Sequence, residues 1–199
     1  MAPAPRVIVI AGPNGAGKTT YAEEVLGTLG IDTFVNADYI ARGLSGRDTR
    51  SVAFEAGRIM LGRLRQLADE RRDFGFESTL SSRSFAPFLR SLKGDGWRIA
   101  IYYFSLRSAA LAERRVKLRV RLGGHDVPAP VVQRRFGRSL ANFFALYLPL
   151  ADEWTLFDNS EHGESRPVAT HNRPNGIDPR GAQTWQRLHR LAASQRNPR

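Results

Sequence analysis

The chain has 199 residues, no cysteine and a formal net charge of +11. That length suits one well-buried core rather than two full domains. The lack of cysteine excludes a disulfide framework and a thiolate metal site, and no apolar stretch reaches the length of a membrane span.

The opening MAPAPR is too short to be a signal peptide, so a cytoplasmic location is expected. The positive charge points to polyanionic partners such as nucleotides, nucleic acid or an acidic protein. However, 27 of the 30 basic residues are arginine. Beside abundant Gly, Ala and Pro this usage reads as composition bias, so an arginine counts as a signal only where its spacing or context supports it.

The first candidate strand is the apolar run at about 6–11, RVIVIA, followed by Gly-Pro-Asn-Gly-Ala-Gly-Lys-Thr at 12–19. This is a complete G-x-x-x-x-G-K-[ST] phosphate-binding loop, entered by a strand and left by a helix, TTYAEEVLGTL, with Tyr21, Val25 and Leu29 at four-residue spacing. Gly12, Asn14, Gly15, Ala16, Gly17, Lys18, Thr19 and Thr20 form the expected ATP-binding set. In it Lys18 neutralises the β- and γ-phosphates and the Thr19 hydroxyl is the expected Mg²⁺ ligand.

A second strand is expected at about 32–36, followed by Asn36-Ala37-Asp38. Ligands of open α/β sheets bind beyond the carboxyl ends of the strands. Asp38 is therefore the candidate base that orients an acceptor hydroxyl and takes its proton; the alternative is an N-cap for the helix YIARGL. A helix over 48–71 follows, with Val52, Ile59, Leu64 and Leu67 on one stripe. The third strand, about 73–77, ends in Phe76-Glu77-Ser78-Thr79. A lone Glu at an apolar strand end is costly to bury without a partner, so Glu77 is expected to hold a metal-bound water or a substrate hydroxyl. Ser78 and Thr79 join it as substrate-side candidates, or cap the next helix.

RIAIYYF at 98–104 is a near-continuous apolar run, as in a strand covered on both faces. Residues 108–122 read as an arginine-rich helix with Ser108 as N-cap, ended by Gly123-Gly124. Arg115 and Arg119 share one face of it. With Arg134 or Arg135 they flank the turn GGHDVP and are candidates to close over ATP, against the plainer reading of a solvated basic helix. His125 in that turn reads as structural rather than as a metal ligand. A helix over 129–148 points Val132, Phe136, Leu140 and Phe143 or Phe144 inward. A fifth strand at 153–158 leads into Asp158-Asn159-Ser160, read as a turn-forming Asx group or a contact near the adenine. From about 160 the sequence turns polar and proline-rich. It is expected to form a surface loop or partly disordered C-terminal extension, 161–199, with a short docking helix at 184–193 carrying Trp185, Leu188 and Leu191. Alternating strands and helices over 1–160 predict an α/β fold with a parallel sheet of about five strands flanked by helices.

Taken together, GPNGAGKTT, FVNADYIA, FESTLSS, the arginine block with GGHDVP, QRRF and LFDNS resemble the zeta-toxin-like P-loop kinases over about residues 6–160. The resemblance implies a nucleoside-kinase-like fold that moves the ATP γ-phosphate, with Mg²⁺, onto a small-molecule hydroxyl. In the best-known zeta toxins that hydroxyl belongs to UDP-N-acetylglucosamine. It implies Lys18 and Thr19 as phosphate and Mg²⁺ ligands, Asp38 as base, Glu77 as a substrate- or metal-side acid, and Arg119 and Arg135 in the ATP clamp. A separate antitoxin is an implied partner. The chain is shorter than the larger zeta toxins, and FVNADYIA differs from their acceptor loop. Other acceptors therefore stay open: a nucleotide, an antibiotic or a nucleic-acid 5′-hydroxyl. So do a nucleic-acid-binding ATPase without phosphotransfer and a non-catalytic nucleotide-binding module.

Overall fold

The computed structural model describes residues 3–45, 51–124, 126–161, 164–171 and 177–196. Its strands are β1 (Arg6–Ala11), β2 (Phe34–Val35), β3 (Phe74–Ser78), β4 (Arg98–Ser105), β5 (Glu153–Asp158) and β6 (Arg166–Thr170). Its helices are α1 (Lys18–Val25), α2 (Ala37–Ser45), α3 (Ala53–Asp69), α4 (Phe85–Gly94), α5 (Ala109–Arg121), α6 (Ala129–Asn142) and α7 (Ala182–Arg196). The strands form one sheet in the order β2-β3-β1-β4-β5-β6. The first five are parallel, and β6 pairs antiparallel with β5 through a register shift between Leu156 and Phe157.

Strand alternation sends neighbouring residues to opposite faces, and here both faces are buried. On β1, Val7, Val9 and Ala11 join one core with α3, α4, α6 and α7, through Leu64, Leu89, Leu140 and Leu188. Ile8 and Ile10 join the other with α1 and α5, through Ala22, Leu26, Leu111 and Val116. Apolar runs on β1 and β4 are thus the mark of a sheet covered on both sides.

The structure departs from the sequence reading in several places. The second strand shortens to two residues, because it pairs only with β3 at the sheet's edge. In α1 the buried stripe runs through Ala22 and Leu26, with Tyr21, Val25 and Leu29 half-buried. In α3 it runs through Ala56, Met60, Leu64 and Leu67, and Ile59 is exposed. The 48–50 part of that expected helix lies outside the described residues. The helix expected over 129–148 is α6, then a π turn at Phe143–Tyr147 and a 3₁₀ turn at Leu148–Leu150. Beyond 160, a segment read as surface loop contains β6. The docking helix runs over Ala182–Arg196 and buries Leu188 and Ala192, while Leu191 faces outward.

Candidate functional site

Strand β1 ends at Ala11, and α1 begins at Lys18, so the six intervening residues must turn the chain within a short reach. Gly17 has φ 82°, and a Cβ there would lie 2.6 Å from Asn159 Nδ2. That amide donates to Ala16 O at 2.7 Å and pins the loop to the end of β5. Gly12 has φ 139°, and a Cβ there would meet the Phe104 carbonyl of β4. Both positions demand glycine for backbone conformation and close approach. Asn14 is buried in the loop, and its Oδ1 has no hydrogen-bond partner among the described residues.

Lys18 is buried, with 6% of its side chain exposed, and its ammonium donates to Pro13 O at 3.1 Å. Its charge is met by Glu77 Oε1 at 3.5 Å. The other oxygen of Glu77 accepts from Thr19 Oγ1 at 2.7 Å and from Asn36 Nδ2 at 3.0 Å. The partner that burial requires of Glu77 is therefore the phosphate-loop lysine, and one carboxylate links the ends of β2 and β3 to the start of α1. Thr19 and Glu77 offer the hard oxygen ligands that suit Mg²⁺. Among the described residues, no group of three or more His, Cys, Asp or Glu side chains is placed to hold a metal.

Asn36 was not among the residues expected to act. It precedes α2, and its Oδ1 accepts the Asp38 backbone N–H at 2.8 Å, so Asn36 caps the helix. The cap alternative for Asp38 is thereby overturned: Asp38 sits in the first turn, where an acidic residue is favoured. A short polar residue between a strand and an amphipathic helix was the available signal for Asn36. Across from Asp38 stands Arg135 of α6. Burial lowers the pKa of its guanidinium, while the Asp38 carboxylate pushes it back up and Arg134 pushes it down. Arg135 thus lies within electrostatic reach of the base candidate.

The substrate-side hydroxyls shape the loop after β3 rather than cap a helix. Ser78 Oγ accepts from Leu80 N at 3.0 Å, and Thr79 Oγ1 lies 2.8 Å from Ser81 Oγ. Leu80 is fully buried with φ 51°, an uncommon conformation for a bulky residue. It is held by Asn142 Nδ2, which donates to Leu80 O at 2.8 Å. Tyr147, at the end of the π turn, donates its hydroxyl to Ser82 O at 2.6 Å. Burial raises the Tyr147 pKa to about 12, with the nearby backbone N–H groups of Phe85 and Ala86 working against the rise. Tyr147 thus ties down the loop just before α4, whose own N-cap residue, Ser84, makes no side-chain capping bond.

A cleft of about 560 Å³ lies over the outer side of the phosphate loop, lined by Gly15, Gly17, Tyr21, Arg119, Leu118 and Leu122 among others. Its size falls within the range of ligand sites. Ser108 caps α5 as expected, its side chain accepting from Leu111 N at 3.2 Å. Arg119 stands on the cleft wall, and Gly124 packs against its side chain. Arg115 also borders the cleft, but its guanidinium donates to the carbonyls of Asn159 at 2.6 Å, Ser160 at 3.1 Å and Glu161 at 3.3 Å. It therefore holds the loop after β5, a different occupation from phosphate contact. Asp158 forms an Asx turn with Ser160 N, and Asn159 lines the cleft, in keeping with the sequence reading. His125 lies outside the described residues.

Comparison with known proteins places this geometry. Residues 7–146 match the AAA_33 family, described as an AAA domain. An uncharacterized protein of Haemophilus influenzae is 26% identical over 131 residues, covering 66% of this chain and 92% of its own. Among solved structures, the AvrRxo1-ORF1:-ORF2 complex with ATP is similar at a TM-score of 0.70 and 19% identity, over 93% of this chain and 63% of that one. This chain thus spans less than two thirds of that protein's length. The PezAT chromosomal toxin-antitoxin system of Streptococcus pneumoniae gives a TM-score of 0.62 at 13% identity, covering 96% and 87%. A putative kinase from Chloroflexus aurantiacus gives 0.59 at 17%, covering 95% and 97%. At these identities the structural likeness is one of fold, and the fold is that of P-loop kinases.

Proposed function

The chain belongs to the AAA_33 family, and we propose that it is an ATP-dependent kinase of zeta-toxin type, moving the γ-phosphate of ATP onto a hydroxyl of a small molecule. The observation that carries this reading is the convergence on Glu77. One carboxylate joins Lys18, Thr19 and Asn36 beside Asp38, at the carboxyl ends of the parallel strands.

ATP fits the loop: the glycines bring backbone close to the phosphates, and Lys18 is positioned for their negative charge. Tyr21, Leu118 and Leu122 give the cleft an apolar surface for the base, and Arg119 a cation beside it. Mg²⁺ would be held by Thr19 with Glu77 beside it, and when bound it neutralises charge between the β- and γ-phosphates. Asp38 orients the acceptor hydroxyl and takes its proton as that oxygen bonds to the γ-phosphorus. The bond from phosphorus to the bridging oxygen breaks, and ADP leaves. Arg135, within electrostatic reach of Asp38, offers a guanidinium to the transferring group.

UDP-N-acetylglucosamine is the first acceptor to test, because the sequence resembles zeta toxins. A separate antitoxin is the proposed protein partner, since two of the similar folds come from the AvrRxo1-ORF1:-ORF2 complex and the PezAT toxin-antitoxin system. The test incubates purified protein with Mg²⁺, γ-labelled ATP and a panel of UDP-N-acetylglucosamine, other UDP-sugars, nucleosides and an oligonucleotide. Label on a UDP-sugar, lost in Asp38→Asn, is the expected result. ATP consumed with label on another panel member moves the acceptor, and no transfer to any member removes the kinase reading.

A further inference from the structure

The loop that follows β5 is tied on two sides, by Arg115 of α5 and by the C-terminal helix. On the helix side, Arg187 of α7 uses both arms of its guanidinium. One donates to the Arg107 carbonyl at 2.9 Å, and the other lies 3.6 Å from Asp158 Oδ2 at the end of β5. Asp158 Oδ1 accepts from the backbone N–H of Ser160 at 3.0 Å and from the Ser160 hydroxyl. The Ser160 oxygen in turn accepts from Arg107 N at 2.8 Å. These bonds close a ring through Arg187, Asp158, Ser160 and Arg107. It joins α7, the end of β5 and the connection between β4 and α5.

Asn159 lies between two members of that ring, and it is the residue that touches the phosphate loop. Its backbone N–H donates to Ser105 O at 3.0 Å, and its Nδ2 donates to Ala16 O at 2.7 Å. A trans peptide is planar, so its C=O and N–H point in opposite directions. Holding Ala16 O towards Asn159 therefore turns the Gly17 N–H the other way, into the loop where N–H groups converge on phosphate. A guanidinium suits the far end of this relay. Its rigid fork meets a carbonyl and a carboxylate at once, whereas an ammonium is a point charge without that geometry.

We infer that Arg187 is a positioning residue of the nucleotide site, which sets the direction of the Gly17 N–H through Asp158 and Asn159. The C-terminal helix then belongs to the phosphate-binding device, although no α7 residue is on the wall of the cleft. The inference rests on residues 12–19 as a nucleotide site and not on the identity of the acceptor.

The experiment uses the full chain with Mg²⁺ and the non-hydrolysable analogue AMP-PNP. Calorimetry compares wild type with R187A, N159A and the double variant, each checked for folding by circular dichroism. R187A and N159A should each weaken binding by about tenfold. The double variant should bind as N159A does, because two residues acting through one bond are not additive. R187K should fall between wild type and R187A, and it carries the comparison if R187A does not fold. In the unliganded, isotope-labelled chain, R187A should move the Gly17 amide signal in the same direction as N159A. Wild-type affinity in the Arg187 variants overturns the inference. So does an unmoved Gly17 signal, or a double variant weakened by the product of the two single effects, which makes Arg187 independent of Asn159. No transfer is measured, so a failed acceptor in the labelled-ATP panel leaves this comparison standing, and an uncoupled Arg187 leaves the kinase reading standing.

Discussion

Asp38 and Glu77 are two carboxylates at the ends of neighbouring strands, set apart in role by their surroundings. Glu77 is held in place by a buried lysine and two neutral donors. Asp38, in the first turn of α2, has no such clamp around its carboxylate among the described residues, only the half-buried Arg135 within electrostatic reach. Asp38→Asn is accordingly expected to lower turnover by about 10²–10⁴-fold while ATP affinity changes little; unchanged turnover in steady-state assays would remove it as base. Glu77→Gln should act differently. It strips the charge opposite Lys18, so the Mg²⁺ concentration needed for half-maximal turnover should rise, and a metal titration of the variant checks this. Gly17→Ala places a methyl against Asn159 in a backbone conformation that alanine resists. Nucleotide binding, read by calorimetry, should fall even though no charge is changed.

At the scale of elements, the π turn after α6 decides where the β3–α4 loop sits. Such turns are short insertions that often mark functional positions, and this one supplies the phenol that holds the Ser82 carbonyl before α4. Tyr147→Phe removes that bond and leaves the Ser82 carbonyl short of a donor, at a cost of about 1–3 kcal/mol in urea unfolding. The pH dependence has a definite sign. A tyrosine whose pKa is raised on folding holds its proton more tightly in the native state. Its contribution is therefore complete below its ordinary value near 10 and is lost as pH climbs towards about 12. Unfolding free energy should decline across that window, and less steeply in Tyr147→Phe. The elements also show what could be read from sequence. β1, β4 and β5 were legible because apolar runs and flanking turns agree, and α5 because Ser108 is a competent cap. β6 was not: Pro167 lies inside it, and proline is tolerated only because this strand is at the sheet's edge. The α3 stripe slipped by one position because alanine and methionine, rather than isoleucine, face the core.

For the whole molecule, the C-terminal segment completes the fold. Leu188 and Ala192 of α7 enter the same core as β1, and Arg187 of α7 reaches Asp158 at 3.6 Å and the Arg107 carbonyl at 2.9 Å. Leu188→Ala should cost about 2–5 kcal/mol, in one cooperative transition that also abolishes ATP binding; loss of α7 structure alone, with the site intact, would show that the segment folds apart. The site itself was legible in outline, because Lys18, Thr19, Asp38 and Glu77 lie at strand ends that the sequence marks. The bonds among them were not, since Asn36, Asn142, Tyr147 and Asn159 act through tertiary geometry that no local spacing reveals. No described helix is long and apolar enough to cross a membrane.

The contact between Lys18 and Glu77 has one more consequence. Before any nucleotide arrives, the ammonium has already left water and found an oxygen anion. Stripping its hydration shell is therefore a debt of folding, settled once in the native state, and an arriving phosphate needs only to exchange places with a carboxylate. Affinity at this loop then measures the difference between two anions competing for one lysine, and the displaced carboxylate is released beside the Thr19 hydroxyl, where the cation that accompanies ATP needs it.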